Sequence, residues 1–302
     1  MKPLLFALPG NEDMTGLLAA RLDGEIGALD TRSFPDGEDY VRIASDVVAR
    51  SVVFVCTLNK PDDKTLRLLF AADAVRDLGA ARVGLVAPYL AYMRQDKQFR
   101  PGEAVTSKTF AKLLSANFDW MVTVDPHLHR RSSMAEIYSI PVAVCHAAPN
   151  LSTWLRANAI DPIVIGPDVE SEQWVSAVAG SAGVPFTTLE KTRVSDRDVR
   201  IAIRDVERWK NRQPVLVDDI ISSGRTMEVA IRQLIAIGFA PPIVVSVHGL
   251  FAEDAFERLK AAGAAKIVST NAVLHPSSLI DISDVIEGSV RRFVEGTGPE
   301  QG

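Results

Sequence analysis

Two adjacent carboxylates and a hydroxyl-rich turn lie close together in the second half of the chain. Asp218 and Asp219 directly follow the apolar run 215–217, which fits a strand buried on both faces of a parallel sheet. Two residues later comes a polar turn that opens a helix and consists of Ser222, Ser223, Gly224, Arg225 and Thr226. A helix N-terminus binds phosphate through its unpaired amides, and paired carboxylates suit the vicinal hydroxyls of a sugar. The stretch therefore predicts a site for ribose 5-phosphate.

A second group of polar side chains follows the predicted strand Arg82–Ala87. Arg94 can bind phosphate oxygens with its forked guanidinium, and Gln95, which Asp96 follows, can contact a base edge or a sugar hydroxyl. Ligands of open α/β folds bind at the carboxyl ends of the strands. This segment therefore predicts contacts to a phosphorylated ligand.

His127 and Asp168 come after two further predicted strands, Trp120–Val124 and Ile163–Ile165. A histidine in this place can contact a magnesium-bound phosphate or its water. Because Mg²⁺ takes few carboxylates plus nucleotide oxygens, single acids at adjacent strand ends suit it better than a dense cluster. These two residues predict a Mg²⁺ site.

Each of these groups also has an interpretation without ligand binding. Arg94 and the residues after it fit a solvated loop, and His127 fits a surface position. Lys191 and Arg193 lie in the polar segment 190–200, which has no apolar spacing and by itself predicts a solvated, charged loop. The acid pair fits a strand end, and Ser222 fits a helix N-cap.

Apolar runs and amphipathic stretches alternate along the whole chain, which predicts parallel sheets flanked by helices. The pattern repeats, since the runs 53–56 and 83–89 with their intervening helix parallel the runs 215–218 and 244–248 with theirs. A chain of 302 residues has room for two domains. We therefore expect an α/β protein of two tandem doubly wound parallel-sheet domains, over 1–142 and 143–302, whose last residues can pack back on the first domain.

Composition excludes several classes of protein. The 33 Lys and Arg residues are outnumbered by 38 Asp and Glu and are spread along the chain, so we expect no nucleic-acid partner. Cys56 and Cys145 each end an apolar run and fit small buried hydrophobes. No apolar stretch reaches membrane-spanning length and no signal-peptide pattern is present, so we expect a cytoplasmic protein without a membrane partner. Neither a P-loop nor a protein-kinase motif set occurs.

Five segments, in order from Phe34 to Thr226 and with the loop of His127 among them, resemble those of the phosphoribosyl diphosphate synthetases, or ribose-phosphate pyrophosphokinases. The strand, acid pair and turn resemble the signature of phosphoribosyl-diphosphate-binding proteins, although Arg225 stands where a small residue is often found. Phe34-Pro-Asp-Gly-Glu38 resembles the adenine-reading loop of the synthetases, and Tyr92-Met-Arg-Gln-Asp-Lys97 resembles an ATP-contacting segment. The run Leu189–Ser195 is similar to the catalytic loop of the ATP-specific archaeal-type class.

The resemblance implies the type I phosphoribosyltransferase-like fold and the conversion of ATP and ribose 5-phosphate to phosphoribosyl diphosphate and AMP, with Mg²⁺. It implies that Asp218, Asp219 and Ser222–Thr226 bind ribose 5-phosphate, and that Lys191 and Arg193 are catalytic because they stabilise charge on the transferring group. The implied ATP-binding residues are Phe34, Asp36, Glu38, Arg94, Gln95, Asp96 and His127, and the implied metal ligands are His127 and Asp168. In this family the adenine loop approaches a neighbouring subunit's site, which implies a homodimer or a higher homo-oligomer.

Two other functions fit part of the sequence. A phosphoribosyltransferase, which consumes phosphoribosyl diphosphate, would account for the second half but would leave Phe34–Glu38 and Arg94–Asp96 without a role. A catalytically silent homologue that regulates a true synthetase would keep the fold, but Lys191 and Arg193 argue against it.

Overall fold

The computed structural model describes residues 2–128, 130–193, 199–202 and 206–298, and the side chains of 173, 190–193, 199–202 and 206–207 lie outside that description. The chain forms two compact units. The first takes in the residues up to His146 together with the chain from Ser283 onward, and the second spans Ala147–Ile282. The sequence predicted a boundary between residues 142 and 143, with last residues that can pack back on the first domain.

Strands and helices alternate through the first unit, as the apolar pattern predicts. Its elements before His146 are β1 (Leu4–Ala7), α1 (Glu12–Leu22), β2 (Glu25–Ile26), β3 (Leu29–Ser33), β4 (Asp39–Ile43), β5 (Ser51–Val55), α2 (Asp62–Asp77), β6 (Arg82–Ala87), α3 (Thr106–Asn117), β7 (Trp120–Val124) and β8 (Val142–Cys145).

The second unit continues the alternation, and the chain then returns to the first unit with one helix. The remaining elements are α4 (Ala148–Asn158), β9 (Pro162–Gly166), α5 (Glu172–Ala182), β10 (Phe186–Thr188), β11 (Glu190–Arg193), β12 (Val199–Ala202), α6 (Val206–Trp209), β13 (Gln213–Ile221), α7 (Arg225–Ala236), β14 (Ile243–Gly249), α8 (Ala255–Ala261), β15 (Lys266–Thr270), β16 (Ser278–Ile280) and α9 (Ser283–Val294).

The two units share one strand order. The first sheet runs β2-β1-β5-β6-β7-β8 and the second runs β10-β9-β13-β14-β15-β16, with every pair parallel. Each unit also has an antiparallel hairpin between its second and third sheet strands, β3-β4 in the first and β11-β12 in the second. The predicted α/β class with two doubly wound parallel sheets is confirmed, and the repeat extends to the position of the hairpins.

Two local predictions are wrong, and one strand was not predicted. Glu190 begins a strand, β11, and not a solvated loop, because its backbone pairs with Ala202 of β12. The strand predicted over 215–217 is longer, since Ile220 and Ile221 still pair with β14. The sequence analysis also missed β16, which is only three residues long and pairs with β15.

In the first unit, α9 packs on the sheet through two stacked aromatic rings. The ring of Trp120 in β7 stacks on Phe293 of α9 with centroids 4.8 Å apart and planes 9° from parallel. Gly84 in β6 faces the other part of this ring, since a Cβ there would lie 2.0 Å from Trp120 Cζ2. Arg82 donates a hydrogen bond to the carbonyl of Phe293 at 3.0 Å. The glycine, the indole and the helix therefore form one close-packed layer.

The two cysteines are buried, as predicted, and burial raises the pKa of the Cys56 thiol to about 12. Among the described residues, no helix combines the length and the apolar character that crossing a bilayer requires.

Substitution of Gly84 by alanine tests this layer. The added methyl overlaps a buried indole that cannot move without displacing Phe293, so Gly84→Ala should lower the free energy of unfolding by about 1–3 kcal/mol. Denaturant unfolding measures the change.

The matched control is Gly16→Ala in α1, where no atom lies within 4 Å of an added Cβ. Alanine has the higher helix propensity, so this variant should gain about 0.4–1 kcal/mol. Equal stabilities of the two variants would show that Gly84 is not closely packed against the indole of Trp120.

Candidate functional site

The second sheet changes its direction of winding between β9 and β13. From β9 the chain goes to β10 on one side, whereas β13 pairs with β9 on the other. In doubly wound sheets such a reversal opens a crevice at the carboxyl ends of the strands. Asp168 follows β9, and Asp218 and Asp219 lie at the carboxyl end of β13, so the fold brings the three predicted acids to one edge. The pair stands within the strand and not after it, because β13 continues to Ile221.

Negative charge is concentrated at this edge. Burial, together with the carboxylates of Asp219 and Asp168, raises the pKa of Asp218 well above its usual value. The amide of Asp219 donates to Asp218 Oδ1 at 3.0 Å, and the amide of Ile220 donates to Asp219 Oδ1 at 2.8 Å. These bonds fix both carboxylates. A ligand with hydroxyl donors, or a cation, would relieve their repulsion.

The polar turn after β13 leads directly into α7. Gly224 has φ +70°, a left-handed conformation that favours glycine, and its carbonyl accepts the amide of Glu228 at 2.8 Å. The amides of 225–227 are left unpaired by the helix and face its N-terminal end. Thr226 and Ser223 are exposed and Ser222 is half-buried, so their hydroxyls are accessible. The predicted turn thus has the backbone of an anion-binding helix N-terminus.

A neighbouring segment holds this turn from behind. The amides of Leu250 and Phe251 donate to the carbonyl of Ile221 at 3.0 and 3.1 Å, and the amide of Ala252 donates to the carbonyl of Ser222 at 3.0 Å. Phe251 has φ +41°, a strained conformation for a bulky residue. The turn is therefore fixed by bonds from a second loop.

Arg258 also fixes the turn, and the sequence analysis missed it. Its Nη2 donates to the carbonyl of Ser223, while Nη1 donates to Asp254 Oδ1 at 2.6 Å and Nε lies 3.7 Å from Glu228 Oε2. The i to i+4 spacing of Asp254 and Arg258 predicts an ion pair on a helix. The bond to Ser223 has no sequence signal, because it joins residues 35 positions apart.

The equivalent crevice of the first sheet, between β1 and β5, is filled by the chain's own side chains. Asn11 is buried, and its Oδ1 accepts the amide of Thr57 at 2.7 Å. Lys64 donates to the carbonyl of Thr57 at 2.8 Å and to Asn59 Oδ1 at 2.5 Å. Burial lowers the pKa of Lys64. These contacts occupy the place where the second unit has its acids and turn.

The segment Phe34–Glu38 is the tip of the β3-β4 hairpin. Phe34 is 41% exposed and meets Tyr40 edge-on with ring centroids 6.4 Å apart, and Arg32 lies over both rings. Asp36 and Glu38 are exposed. Arg67 of α2 donates to Asp39 Oδ1 at 2.5 Å and thereby anchors the hairpin. The tip presents an aromatic ring and two exposed acids to solvent, of which Asp36 accepts the amide of Glu38 at 3.2 Å.

The three polar residues after β6 differ in where they point. Arg94 is exposed, and its guanidinium makes no hydrogen bond or ion pair with another described residue. Gln95 Oε1 accepts the hydroxyl of Thr106 at 3.3 Å. Asp96 Oδ1 accepts Nη1 of Arg130 at 3.0 Å, and its side chain is only 4% exposed. Arg94 is thus the member of this segment that the fold leaves available to a ligand.

A carboxylate and a histidine meet at the ends of β7 and β8. Asp125 is buried with φ +36°, and its Oδ1 lies 2.9 Å from Nδ1 of His146. The bond from Asp125 raises the pKa of His146. His127, the predicted ligand, is half-buried in the same loop as Asp125. His146 was missed by the sequence analysis, although its place directly after a strand is the signal used for the other residues.

The catalytic prediction for Lys191 and Arg193 falls on β11. The structure describes the backbone of this strand, which pairs with β12, whereas the side chains lie outside the described part. Within the described residues, no group of three or more His, Cys, Asp or Glu side chains has the arrangement of a metal site made by protein ligands alone. A cation at the acidic edge would therefore share its coordination with a ligand or water, which suits Mg²⁺.

The strand order and the acid-and-turn arrangement at the reversal of the second sheet define an α/β protein of the phosphoribosyltransferase type. Family models agree with this class. Residues 4–117 match the N-terminal domain of ribose phosphate pyrophosphokinase, and residues 133–282 match the phosphoribosyl transferase domain.

Whole-chain relatives narrow the class to one family. The chain is 34% identical over 279 residues to the ribose-phosphate pyrophosphokinase of Methanopyrus kandleri, covering 91% of this chain and 94% of the relative. It is 31% identical to that of Sulfolobus acidocaldarius, covering 94% and 96%. A crystal structure of phosphoribosylpyrophosphate synthetase from Mycobacterium smegmatis aligns with TM-score 0.85 and 26% identity over 98% of this chain and 100% of that one.

The chain belongs to the ribose-phosphate pyrophosphokinase family. It is accordingly an enzyme, and the family that the sequence motifs resemble is confirmed.

The raised pKa of Asp218 predicts how stability depends on pH. The folded state holds a proton on this carboxyl at pH values where the unfolded chain has lost it, so ionised Asp218 disfavours the fold. Asp218→Asn should therefore raise the free energy of unfolding at pH 7–8, where the carboxyl of the unfolded chain is ionised. Denaturant unfolding at a series of pH values measures this.

The gain should shrink as the pH falls through the raised pKa and vanish below the usual carboxyl pKa of 3.8, where both states are protonated. A gain that stayed constant from pH 3 to 8, or a loss at pH 8, would show that charge at this edge does not strain the fold.

Proposed function

We propose that this chain transfers the β,γ-diphosphoryl group of ATP to the anomeric hydroxyl of ribose 5-phosphate, giving 5-phosphoribosyl 1-diphosphate and AMP. One observation carries the proposal: the acid pair and the helix N-terminal turn occur together at the reversal of the second sheet. A phosphorylated sugar with vicinal hydroxyls matches this arrangement, since the turn offers amides to an anion and the acids offer acceptors to hydroxyls.

Each part of the second-unit site has a proposed task. Asp218 and Asp219 accept hydrogen bonds from the ribose hydroxyls, which orients the anomeric oxygen. The amides and hydroxyls of Ser222–Thr226 bind the 5-phosphate, with Ser222, Ser223, Gly224, Arg225 and Thr226 as the residues involved. Arg258 keeps the turn in place through the Ser223 carbonyl. The second unit thus binds and orients the nucleophile.

Residues of the first unit bind the nucleotide in this proposal. Phe34 stacks on the adenine, for which an exposed ring at a hairpin tip is suited, and Asp36 and Glu38 accept from its amino group or the ribose. Arg94 and Gln95 contact the phosphates and the sugar, and His127 contacts the polyphosphate. Asp96 was predicted to contact ATP as well, but its carboxylate faces inward and bonds Arg130.

The chemical step is an in-line displacement at phosphorus. The anomeric oxygen attacks the β-phosphorus, the bond from that phosphorus to the oxygen bridging to the α-phosphate breaks, and AMP leaves with that oxygen. Lys191 and Arg193 are proposed to stabilise the charge on the transferring group. Most of the acceleration then comes from positioning and charge neutralisation by the protein.

Mg²⁺ is the proposed cofactor, and the residues present fit it. Asp168 raises the pKa of Asp218, which shows a surplus of negative charge that a divalent cation would offset. Asp168 is the proposed protein ligand in the second unit, and His127 stays the ligand that the sequence predicts for the first unit. When bound, Mg²⁺ would neutralise phosphate charge.

The exposed hairpin tip also supports a homo-oligomer. Phe34 projects from a two-stranded hairpin that is anchored to α2 through Arg67 and Asp39, which leaves the ring free to contact another copy of the chain. A homodimer is the smallest assembly in which the tip of one copy could complete the site of the next.

Gly224→Ala tests the phosphate-binding turn. Its φ of +70° costs an alanine about 1–2 kcal/mol, and the new Cβ would meet that of Ala255 at 3.3 Å, so the turn must shift. The Michaelis constant for ribose 5-phosphate should rise roughly tenfold, measured by AMP formation from ATP with and without the sugar phosphate.

Gly238→Ala is the matched control, because it lies at the opposite end of α7 with φ +95° and meets no atom closer than 4.0 Å. It should lose similar stability while keeping the Michaelis constant of the parent enzyme. If both variants changed that constant alike, the turn would not be the phosphate site. If the parent protein formed no AMP, the proposed reaction itself would be wrong.

Arg94→Ala separates the proposed reaction from that of a phosphoribosyltransferase. Loss of a charged contact to phosphate should lower kcat/KM for ATP by roughly 10- to 100-fold. Lys112→Ala, which removes an exposed cation from α3 of the same unit, should have no such effect. Retention of full activity in the Arg94 variant would favour a transferase.

A further inference from the structure

Arg131 lies in the loop after β7 and points into the protein. Its side chain is 9% exposed. Nη2 donates to the backbone carbonyl of Asp96 at 3.0 Å and to the hydroxyl of Ser107 at 3.2 Å, and Nη1 lies 3.6 Å from Glu136 Oε2. The buried Nε has no hydrogen-bond partner among the described residues. A buried guanidinium that donates a hydrogen bond to a backbone carbonyl fixes the position of that backbone.

The backbone that Arg131 holds is the segment that ends with Asp96. The neighbouring Arg130 donates to Asp96 Oδ1 at 3.0 Å, so two successive arginines take both the carbonyl and the carboxylate of one residue. On its other side the segment contacts the start of α3, where the amide of Ser107 donates to the carbonyl of Gln95 at 3.4 Å. Arg131 reaches both attachments at once, because it also bonds the Ser107 hydroxyl.

This arrangement links two loops that the sequence presents as unrelated. Asp96 belongs to the loop after β6 and Arg131 to the loop after β7, and β6 and β7 are adjacent in the sheet. The first loop carries Arg94, whose guanidinium is exposed, and the second carries His127. The contact between Arg131 and Asp96, together with that of Arg130, therefore helps to set the distance between these two side chains.

We propose that Arg131 is a positioning residue for the nucleotide, which holds the Arg94–Asp96 backbone in register with the loop of His127. The inference rests on the proposed function, since it assumes that these two loops bind ATP. It also gives Asp96 a role different from the direct ATP contact that the sequence predicted. Asp96 fixes this segment, because Arg130 and Arg131 both donate hydrogen bonds to it. Arg94 and Gln95 are then the residues of the segment that contact the nucleotide.

Lysine and glutamine at position 131 distinguish positioning from mere packing. Arg131→Gln removes the charge and the fork that reaches both Asp96 and Ser107. It should raise the Michaelis constant for ATP by roughly 10-fold or more, because a small displacement of a binding group is costly, while that for ribose 5-phosphate stays within about twofold. Arg131→Lys keeps the charge and one donor and should recover part of the loss for ATP.

Arg76→Gln is the matched control. Arg76 also donates to a backbone carbonyl, that of Asn117 at 3.1 Å, and to a carboxylate, Asp119 Oδ1 at 2.9 Å, but it lies at the amino edge of the same sheet. Its loss should lower the thermal midpoint without changing the Michaelis constant for ATP.

Equilibrium binding of Mg·ATP to the parent protein and the variants, followed by calorimetry, gives a second readout that does not need turnover. If the parent forms AMP but Arg131→Gln binds and uses ATP as the parent does, the inference is wrong and the proposed function stands. The same conclusion follows if Arg76→Gln weakens ATP binding as much as Arg131→Gln does. If the parent binds ATP with an affinity that depends on Arg131 but forms no AMP, the positioning role stands and the proposed reaction is wrong. A parent that neither binds nor uses ATP overturns both.

Discussion

The parallel pairing of β9 with β13 forces three carboxylates together at one edge of the second sheet. Their mutual repulsion, added to burial, raises the pKa of Asp218, so the unliganded edge is strained at neutral pH. Such strain persists only where the surrounding structure fixes it, and here the backbone does so through the amides of 219 and 220. Hydroxyl donors or a divalent cation at this edge would both lower the repulsion between the carboxylates.

The two units share one strand order, but the crevices at the reversals of their sheets differ. At the reversal of the second sheet the chain places acids and a glycine turn, and the crevice stays polar. At the reversal of the first sheet Asn11 bonds the Thr57 amide, and Lys64 covers the carbonyl of the same residue. That crevice is closed by buried groups. The polar residues of the first unit stand instead after β6, β7 and β8, on the far side of its sheet from β2.

The sequence predicts most of the fold because the buried strands read as continuous apolar runs and the helices have clear spacing. The ends of β6 and β7 agree with the predicted residues, since turn residues flank these strands. The hairpin strand β11 was missed because it is polar and lies outside the large sheets, so that only the pairing of Glu190 with Ala202 reveals it. The pattern of residue types along the chain does not show which strands pair.

The candidate site divides in the same way. The acid pair, the turn and Arg94 were predicted as site residues because each follows an apolar run directly. Arg131 and Arg258 were not, because each acts on a backbone carbonyl 35 residues away in the chain. Nor does sequence say which way a loop residue faces: Asp96 turns inward and Arg94 outward, although they are two positions apart.

The helix α9 belongs to the first unit although it is the last helix of the chain. Its Phe293 covers Trp120, and its Arg291 donates to the carbonyl of Arg21 in α1 at 2.8 Å. A ribosome makes the chain from the N-terminus, so the whole second unit emerges while the first still lacks this covering. During synthesis the later unit can thus reach its finished core before the earlier one, and the indole of Trp120 stays uncovered on its α9 side until the final turns of helix leave the exit tunnel. The core of the first unit can therefore be completed only after the whole second unit has been synthesised.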